Sequence, residues 1–336
     1  MNILFTCAGR REYLLRYFKE QLGNCGKIIG CDMQLSAPAL TAADIAITVP
    51  SVYDEAYIPA LINICKEYKV NAIISLNDLE LPILAEARAK FSEIGVTIIV
   101  SRPEVIDVCF DKYKTANYIK SLGLNTPKTY LGLNEAKAAI EQGELSFPLV
   151  IKPRWGSGSI GIEFVEDLAE LEMVYKLLQH KVAKSILGKV SSSSNEYLLI
   201  QEKICGSEYG LDVMNDLNGN HIAVSVKQKL GMRSGETDKA ITVDNADIRA
   251  IGSKLGNALK HVGNLDVDVL EQDGHYYVLE LNPRFGGGFP FSYEAGVNLP
   301  GAIIAWLKGE NVAIESLIPK YGCMFAKCDH LVQIEK

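Results

Sequence analysis

The first hundred residues alternate short apolar runs with amphipathic segments, a pattern that excludes most fold classes. Strands are predicted at 2–6, 27–31 and 71–76, and an amphipathic helix at 11–22 follows the first of them. Strands that alternate with helices are joined by crossover connections, which give a parallel sheet covered by helices on both faces. We therefore expect residues 1–105 to form a parallel-sheet α/β domain.

The loop after the first strand lacks the glycines of a dinucleotide site. In FTCAGRREYL only Gly9 is present, and G-x-G-x-x-G is absent. The segment predicts a tight turn, or alternatively an anion site in which Gly9, Arg10 and Arg11 lie at a helix N-terminus. Asn77 and Asp78 follow a later strand at the edge where open α/β sheets bind ligands, although Asp78 is also a good helix N-cap.

Beyond Asp111 the pattern changes to longer strands joined by turns. Strands at 197–202, 208–215 and 221–230 are followed by a helix and by two strands at 265–272 and 275–282. Turn sequences such as NDLNGN and EQDG connect them, which is typical of antiparallel pairing. This half of the chain is therefore predicted to be α+β, with a low-complexity loop, SSSSN, before its first long strand.

A glycine-rich segment, KPRWGSGSIGI, follows a strongly apolar strand. It begins at Lys152 and contains Gly156, Gly158 and Gly161. Backbone N–H groups of such a loop can fold over phosphates, and the lysine adds a positive charge. The order differs from GxxxxGK[ST], which excludes a Walker P-loop. An ordinary glycine-rich hairpin is the alternative.

An acidic hairpin is predicted in GNLDVDVLEQDGHYYVLELNPR. Residues two apart share one face of a strand, so Glu280, Asn282 and Arg284 project together, and Asp266 and Asp268 face them from the partner strand. Carboxylates, an amide oxygen and phosphate oxygens suit Mg²⁺, which prefers hard oxygen ligands. A solvated strand face is the alternative, and Asp266 competes with Asp268 as a ligand.

The segment YLLIQEKICGSEYGLDV carries two carboxylates around a break in the strand pattern. Glu202 and Glu208 lie on either side of Gly206. Carboxylates at such positions can accept hydrogen bonds from ribose hydroxyls, and the extended IQEKI run can offer backbone groups to an adenine edge.

In this order the motifs resemble the ATP-grasp superfamily, in particular the synthetase half of the carbamoyl phosphate synthase large subunit and short proteins similar to it. The resemblance covers roughly 106–310 and includes DK at 111–112, VIKPRWGSGSIGI, LIQEKICGSEYGLDV, LDVDVLE and LELNPRFGGG. It implies an ATP-grasp fold whose two subdomains clamp ATP, with a flexible lid at about 125–200. A Rossmann-like pre-ATP-grasp domain at 1–105 would precede it, and a C-terminal segment at 311–336 would follow.

The resemblance also implies roles for individual residues. Those implied to contact the nucleotide phosphates are Lys112, Lys152 and the lid residues Gly156, Ser157, Gly158, Ser159 and Gly161. Those implied near adenine and ribose are Gln201, Glu202, Lys203, Ile204 and Glu208. The implied metal ligands are Asp268, Glu280 and Asn282, with Asp266 as the rival, and the implied catalytic residues are Arg284, Lys152 and Arg233.

One segment departs from the family pattern. GMRSGETDKAITV resembles the synthase's H-T-G-D-S segment, but Arg233 stands where the histidine would be. The change argues against bicarbonate and favours a larger anionic substrate, unless Arg233 belongs to a solvated turn. The acid pocket is then expected between Arg233, residues 286–291 and Asn77. The sequence is also too short for the synthase's duplicated halves and no glutaminase domain is recognised in it, so a complete glutamine-dependent synthase is not expected of this polypeptide alone.

The function that these residues imply is an ATP-dependent ligase that activates a carboxylate as an acyl phosphate for attack by an amine or a similar nucleophile. Mg²⁺ is the expected cofactor beside ATP, and Mn²⁺ could replace it. The alternatives are a carbamoyl phosphate synthase-like enzyme that activates bicarbonate and a non-catalytic ATP-binding regulator. The expected partners are small-molecule carboxylates and amines, and a homodimer is allowed for.

Charge and composition limit the remaining partners. The net charge of −7 and the lack of a dense Lys/Arg run argue against nucleic acid. No apolar run approaches the roughly 18 residues needed to cross a bilayer. Eight cysteines without a CxxC pair indicate reduced thiols, and no signal peptide is recognised at the N-terminus. A cytoplasmic location is therefore expected.

Overall fold

The computed structural model describes residues 1–156, 161–185 and 196–334. In these ranges the strands form three sheets, of five, four and six strands. The five-stranded sheet belongs to the first domain. The four-stranded sheet is called the lid sheet below, and the six-stranded sheet the large sheet.

The first domain is the predicted parallel α/β domain. Its strands are β1 (Asn2–Thr6), β2 (Lys27–Asp32), β3 (Ile45–Thr48), β4 (Ala72–Ser75) and β5 (Thr97–Ile99), all parallel in the order β3-β2-β1-β4-β5. Its main helices are α1 (Glu12–Leu22), α2 (Tyr57–Glu67) and α3 (Leu81–Ser92). The strand order reverses at β1, so ligands are expected beyond the carboxyl ends of β1 and β4.

Alternation along β1 explains why both faces of this sheet are covered. Ile3 and Phe5 pack with α1, whereas Leu4 packs on the opposite face with α2 and α3. Successive strand residues point to opposite faces, so a continuous apolar run fits a sheet that is buried on both sides.

The lid sheet is antiparallel and carries two helices. Its strands are β6 (Thr129–Leu131), β7 (Leu149–Pro153), β8 (Glu163–Val165) and β9 (Leu198–Glu202), in the order β6-β9-β7-β8. Two connecting helices precede it, α4 (Pro103–Phe110) and α5 (Lys112–Ser121). Within the lid, α6 (Gly132–Glu141) and α7 (Leu168–Ala183) pack on one face of the sheet.

The large sheet is antiparallel and places the predicted hairpin at one edge. Its strands are β10 (Ser207–Asn215), β11 (His221–Arg233), β12 (Glu236–Thr242), β13 (Gly263–Gln272), β14 (His275–Asn282) and β15 (Met324–Ala326). The order is β14-β13-β10-β11-β12-β15. The remaining α-helices described are α8 (Ala246–Leu259), α9 (Phe289–Glu294) and α10 (Leu299–Leu307).

The two faces of the large sheet differ in character. Alternate residues such as Leu211, Val226 and Val267 pack against α8. The intervening residues form what we call the polar face, which carries Glu208, Asp212, Lys227, Lys229, Asp266, Asp268 and Glu280. Because successive strand residues point to opposite faces, the same strands supply core residues on one face and the polar residues of the candidate site on the other.

One local prediction differs from the structure. Asp78 is not a helix N-cap, because α3 begins at Leu81 with Glu80 at the cap position and no side-chain capping bond. The segment GMRSGETDKAITV forms the end of β11, a turn at 234–235 and strand β12, and Arg233 is exposed beside that turn. Within the described ranges, no helix is both long and apolar enough to span a membrane.

Candidate active site

A cavity of about 780 Å³ lies between the lid sheet and the large sheet, and we call it the cleft. The lid contributes Lys152 and the 201–205 segment, and the large sheet contributes Glu208, Asp268 and Glu280. Asn77 and Asp78 of the first domain also line it. The cleft therefore lies where β4 of the first domain, the lid and the polar face meet.

Two lysines approach the cleft from different elements. Lys152 lies near the end of β7 and is only 7% exposed. Lys112 begins α5, whose N-cap Asp111 is held by Arg154 at 2.7 Å, so the loop after β7 is tied to the start of this helix. Burial lowers the pKa of Lys152 to about 8, and the nearby charge of Lys112 adds to the decrease. An anion between the two ammonium groups would relieve their repulsion.

The 201–204 segment forms a largely apolar wall with its neighbours. The Gln201 side chain turns inward, where its Nε2 donates to Thr129 Oγ1 at 2.6 Å, and Glu202 accepts from the Lys128 backbone N–H at 3.1 Å. Lys203 lies over the Phe164 ring. Apolar residues on both sides of the cleft line a slot here; they are Val150, Ile162, Phe164, Ile204, Leu270 and Leu279.

The acidic hairpin has the predicted pairing. Asp266 is opposite Asn282, and Asp268 is opposite Glu280. Burial raises the pKa of Asp268 to about 7, with Lys229 opposing the rise and neighbouring carboxylates adding to it. Burial would also raise the pKa of Glu280, but Lys112 and Lys152 hold it below its ordinary value. Of Asp268 and Glu280, Glu280 is therefore the one held more firmly in its charged form.

Arg284 joins the hairpin to the first domain. It is 8% exposed, and its guanidinium contacts Asp78 at 2.7 Å and Asp266 at 3.4 Å. Its Nε is buried and has no hydrogen-bond partner among the described residues. Nη1 donates to Asp266 and to the Phe285 carbonyl, and Nη2 donates to Asp78, so these contacts fix the position of the guanidinium.

The glycines after Arg284 are required by close packing on charged side chains. A Cβ atom on Gly286 would lie 2.2 Å from the Asp266 carboxyl carbon, and one on Gly288 would lie 2.7 Å from Lys227 Cε. On Gly287 it would lie 3.0 Å from the Glu236 carboxyl carbon. The loop therefore presses its backbone against the polar face, as a tight connection does.

The structure does not bring Arg233 to the lining of the cleft. Its side chain is 49% exposed at the end of β11 and pairs with Asp238 at 3.1 Å and Asp329 at 2.6 Å. Gly156 and Gly161 have the positive φ values expected in a glycine loop, 98° and 72°. Ser157, Gly158, Ser159 and the SSSSN loop lie outside the described residues.

The polar face contains charged residues that were not predicted from the sequence motifs. Lys229 contacts both Glu208 and Asp268, and Lys227 contacts Asp212 at 2.6 Å. The alternation in SVKQK was the available signal, because it places both lysines on one face of β11. Glu236 was also missed, and it lies beside Gly287 at the edge of the same face.

The oxygen donors of the cleft determine whether a divalent cation fits there. Across the parts of the chain that the structure describes, no group of three or more His, Cys, Asp or Glu side chains could hold a metal ion. Mg²⁺ is usually bound by one or two carboxylates together with phosphate oxygens and water, rather than by an all-protein cage. Glu280 and Asn282, whose side chains lie 3.3 Å apart, match that type of ligand set.

Comparisons with known proteins agree with the fold. Residues 109–288 match the model described as ATP-grasp domain, and residues 3–99 match the one described as PylC-like, N-terminal domain. The chain therefore belongs to the ATP-grasp family. The expected fold class, a parallel-sheet domain followed by an ATP-grasp domain, is confirmed.

Individual relatives are distant. The carbamoyl phosphate synthase large chain of Mesorhizobium japonicum is 25% identical over 72% of this chain and 22% of that protein, so the chain spans about a fifth of that curated relative. A biotin carboxylase–β-γ-ATP complex from Campylobacter jejuni superposes with a TM-score of 0.74 at 19% identity, over 94% of this chain and 73% of that one. An L-amino acid ligase from Bacillus licheniformis gives 0.71 at 22%, over 91% and 75%.

Proposed function

We propose that this protein is an Mg²⁺-dependent ATP-grasp ligase that activates a small carboxylate as an acyl phosphate for attack by an amine or a similar nucleophile. The observation that carries the proposal is the meeting of two lysines and a charged carboxylate in one cleft. Lys112 Nζ lies 3.8 Å from Glu280 Oε2, and Lys152 lines the same cleft. This arrangement suits a nucleotide polyphosphate with its cation.

Each part of the cleft has a role in this proposal. The slot at 201–204 takes the adenine ring, and Glu208 is placed for the ribose hydroxyls. Lys112 and Lys152 neutralise phosphate oxygens, and the Arg284 Nε donates to the phosphoryl group that moves. Such a reaction depends on positioning and electrostatics, so it needs no side-chain nucleophile.

Glu280 and Asn282 are the residues that would hold Mg²⁺. When bound there, the ion supplies charge neutralisation for the β- and γ-phosphates. The chain's own part is to orient these oxygens beside the two lysines and to exclude water from the activated carboxylate when the lid closes.

The proposal is tested by measuring Mg²⁺-dependent ADP release from purified full-length protein. One arm contains bicarbonate, and the other contains pooled carboxylic acids with pooled amines. We expect release in the acid arm, and splitting the pools then identifies the substrate. Release with bicarbonate alone would favour carbamoyl phosphate chemistry, and nucleotide binding without release in either arm would favour a regulatory role.

The pKa of Lys152 gives a pH dependence to the proposed nucleotide binding. Because this pKa is lowered to about 8, the ammonium is present below that pH and is lost above it. The dissociation constant for ATP is expected to rise above pH 8, by up to about tenfold per pH unit for one lost charge. Calorimetric titration between pH 7 and 9.5 measures this change.

A matched variant isolates the contribution of Lys152. Arginine remains charged over this whole range, so Lys152→Arg is expected to flatten the pH dependence even if it weakens binding at pH 7. Identical profiles for the wild type and the variant would show that another group controls affinity.

A further inference from the structure

Lys229 lies across the polar face and bridges carboxylates of two neighbouring strands. Its side chain is 7% exposed, and its Nζ is 2.6 Å from Asp268 Oδ1 and 2.8 Å from Glu208 Oε1. Lys229 is on β11, Glu208 is its direct partner on β10, and Asp268 is on β13 beyond. The ammonium therefore joins Glu208, proposed above for the ribose, with Asp268, which the family resemblance implies as a metal ligand.

Gly210 opens the path that Lys229 takes. It lies on β10 opposite both Lys227 and Asp268, and a Cβ atom there would be 3.3 Å from Lys229 Cε and 3.4 Å from Lys227 Cε. Without a side chain at this position the lysine can lie flat over β10. The contact is thus built by three strands rather than by a flexible surface lysine.

The carboxylates of the hairpin differ in what already holds them. Asp266 contacts Arg284 at 3.4 Å, and Asp268 is engaged by Lys229. Glu280 has a looser cation contact, at 3.8 Å from Lys112, and its near neighbour on the strand is the neutral Asn282. A divalent ion on Asp268 would have to displace a buried ammonium that is hydrogen-bonded to it at 2.6 Å, whereas one on Glu280 and Asn282 would meet only the longer, 3.8 Å contact with Lys112.

We propose that Lys229 is a built-in counter-cation that holds Asp268 and Glu208 in place of a metal ion, so that the chain binds one divalent cation, on Glu280 and Asn282, with its nucleotide. The inference rests on the proposed nucleotide binding and makes it more specific. Asp268 then positions Lys229 and Glu208 and is not a metal ligand. The lysine supplies a fixed positive charge to the polar face without a second ion.

The test counts Mn²⁺ by electron paramagnetic resonance in the full-length protein with excess ADP, which requires no turnover. We expect one tight Mn²⁺ per chain in the wild type. Asp268→Asn is expected to keep that ion with its dissociation constant within about threefold, whereas Glu280→Gln weakens it tenfold or more. Lys229→Met frees Asp268 and Glu208 and is expected to admit a second Mn²⁺.

Lys239→Met is the matched control, because Lys239 is an exposed lysine on the neighbouring strand β12. It should bind one Mn²⁺ as the wild type does. Two ions or none in the wild type would overturn the inference, and so would a tenfold loss in Asp268→Asn. If Lys229→Met does not fold, Asp268→Asn decides alone; if it folds and still binds one ion, the counter-cation role is wrong.

These outcomes are separate from those of the ligase assay. One Mn²⁺ that depends on Glu280 but not on Asp268, in a protein that releases no ADP with any acid, would support the counter-cation and contradict the ligase. ADP release together with an Asp268-dependent metal would do the reverse.

Discussion

Glu280→Gln is expected to lower ATP turnover by about 100-fold or more while the fold is retained. Removal of one group that stabilises charge at the reacting centre typically costs on the order of 10²–10³-fold. Here the substitution removes the carboxylate that Lys112 and Lys152 keep ionised, and it keeps the size of the side chain. The two lysines then lose their common counter-charge, and the proposed cation loses its charged ligand.

The measurement compares kcat for ADP release and the thermal midpoint of Glu280→Gln with those of Asp273→Asn. Asp273 is exposed in the turn of the same hairpin at φ 54°, a conformation that asparagine also tolerates. This control should match the wild type in both quantities. Turnover of Glu280→Gln within threefold of the wild type would contradict the role of Glu280.

Glu280 is a cleaner site for this test than Arg284. The Arg284 guanidinium compensates Asp78 and Asp266, and Asp78 belongs to the first domain. Removing it would take a cation away from two largely buried carboxylates, which destabilises the fold as well as the reaction. A loss of activity in an Arg284 variant would therefore mix two causes.

The elements of the first domain and the hairpin could be predicted from the sequence, because their signals are local. β14 has the predicted bounds, 275–282, and Asp266 faces Asn282 as the alternation of the strands requires. A period of two and a short turn fix such a pairing almost completely. The start of α5 is also fixed locally, because the Asp111 side chain accepts hydrogen bonds from the Tyr113 and Lys114 backbone N–H groups.

Contacts between distant strands could not be predicted in this way. Asp78 and Arg284 are 206 positions apart, and no pattern in either segment indicates a contact with the other. Lys229 reaches Asp268 only because β10 lies between β11 and β13 and presents Gly210 at the crossing point. That strand order is a property of the whole sheet, and no period or turn signal encodes it.

Lys227→Met is expected to lower the free energy of unfolding by about 3–5 kcal/mol, the usual cost of removing one partner from a buried ion pair. Lys227 and Asp212 are both 0% exposed and lie 2.6 Å apart. Methionine fills a similar volume but leaves the Asp212 carboxylate, among the described residues, with the neutral donors Ser292 at 2.5 Å and Asn264 at 3.0 Å. Urea titration followed by circular dichroism measures the loss.

A double variant separates the charge from the packing. Replacing a buried pair by apolar residues is often neutral, so Lys227→Met with Asp212→Leu is expected to recover much of the stability that Lys227→Met alone loses. A single-variant loss below about 1 kcal/mol would show that Asp212 is compensated by its hydroxyl and amide donors.

The Lys227–Asp212 pair is also linked to the candidate site, because Asn264 donates to the Arg284 carbonyl at 3.3 Å and Gly288 packs on Lys227. Destabilising the pair should therefore weaken Mn²⁺–ADP binding as well. Unchanged Mn²⁺–ADP affinity in a destabilised Lys227→Met would mean that the pair supports the sheet alone.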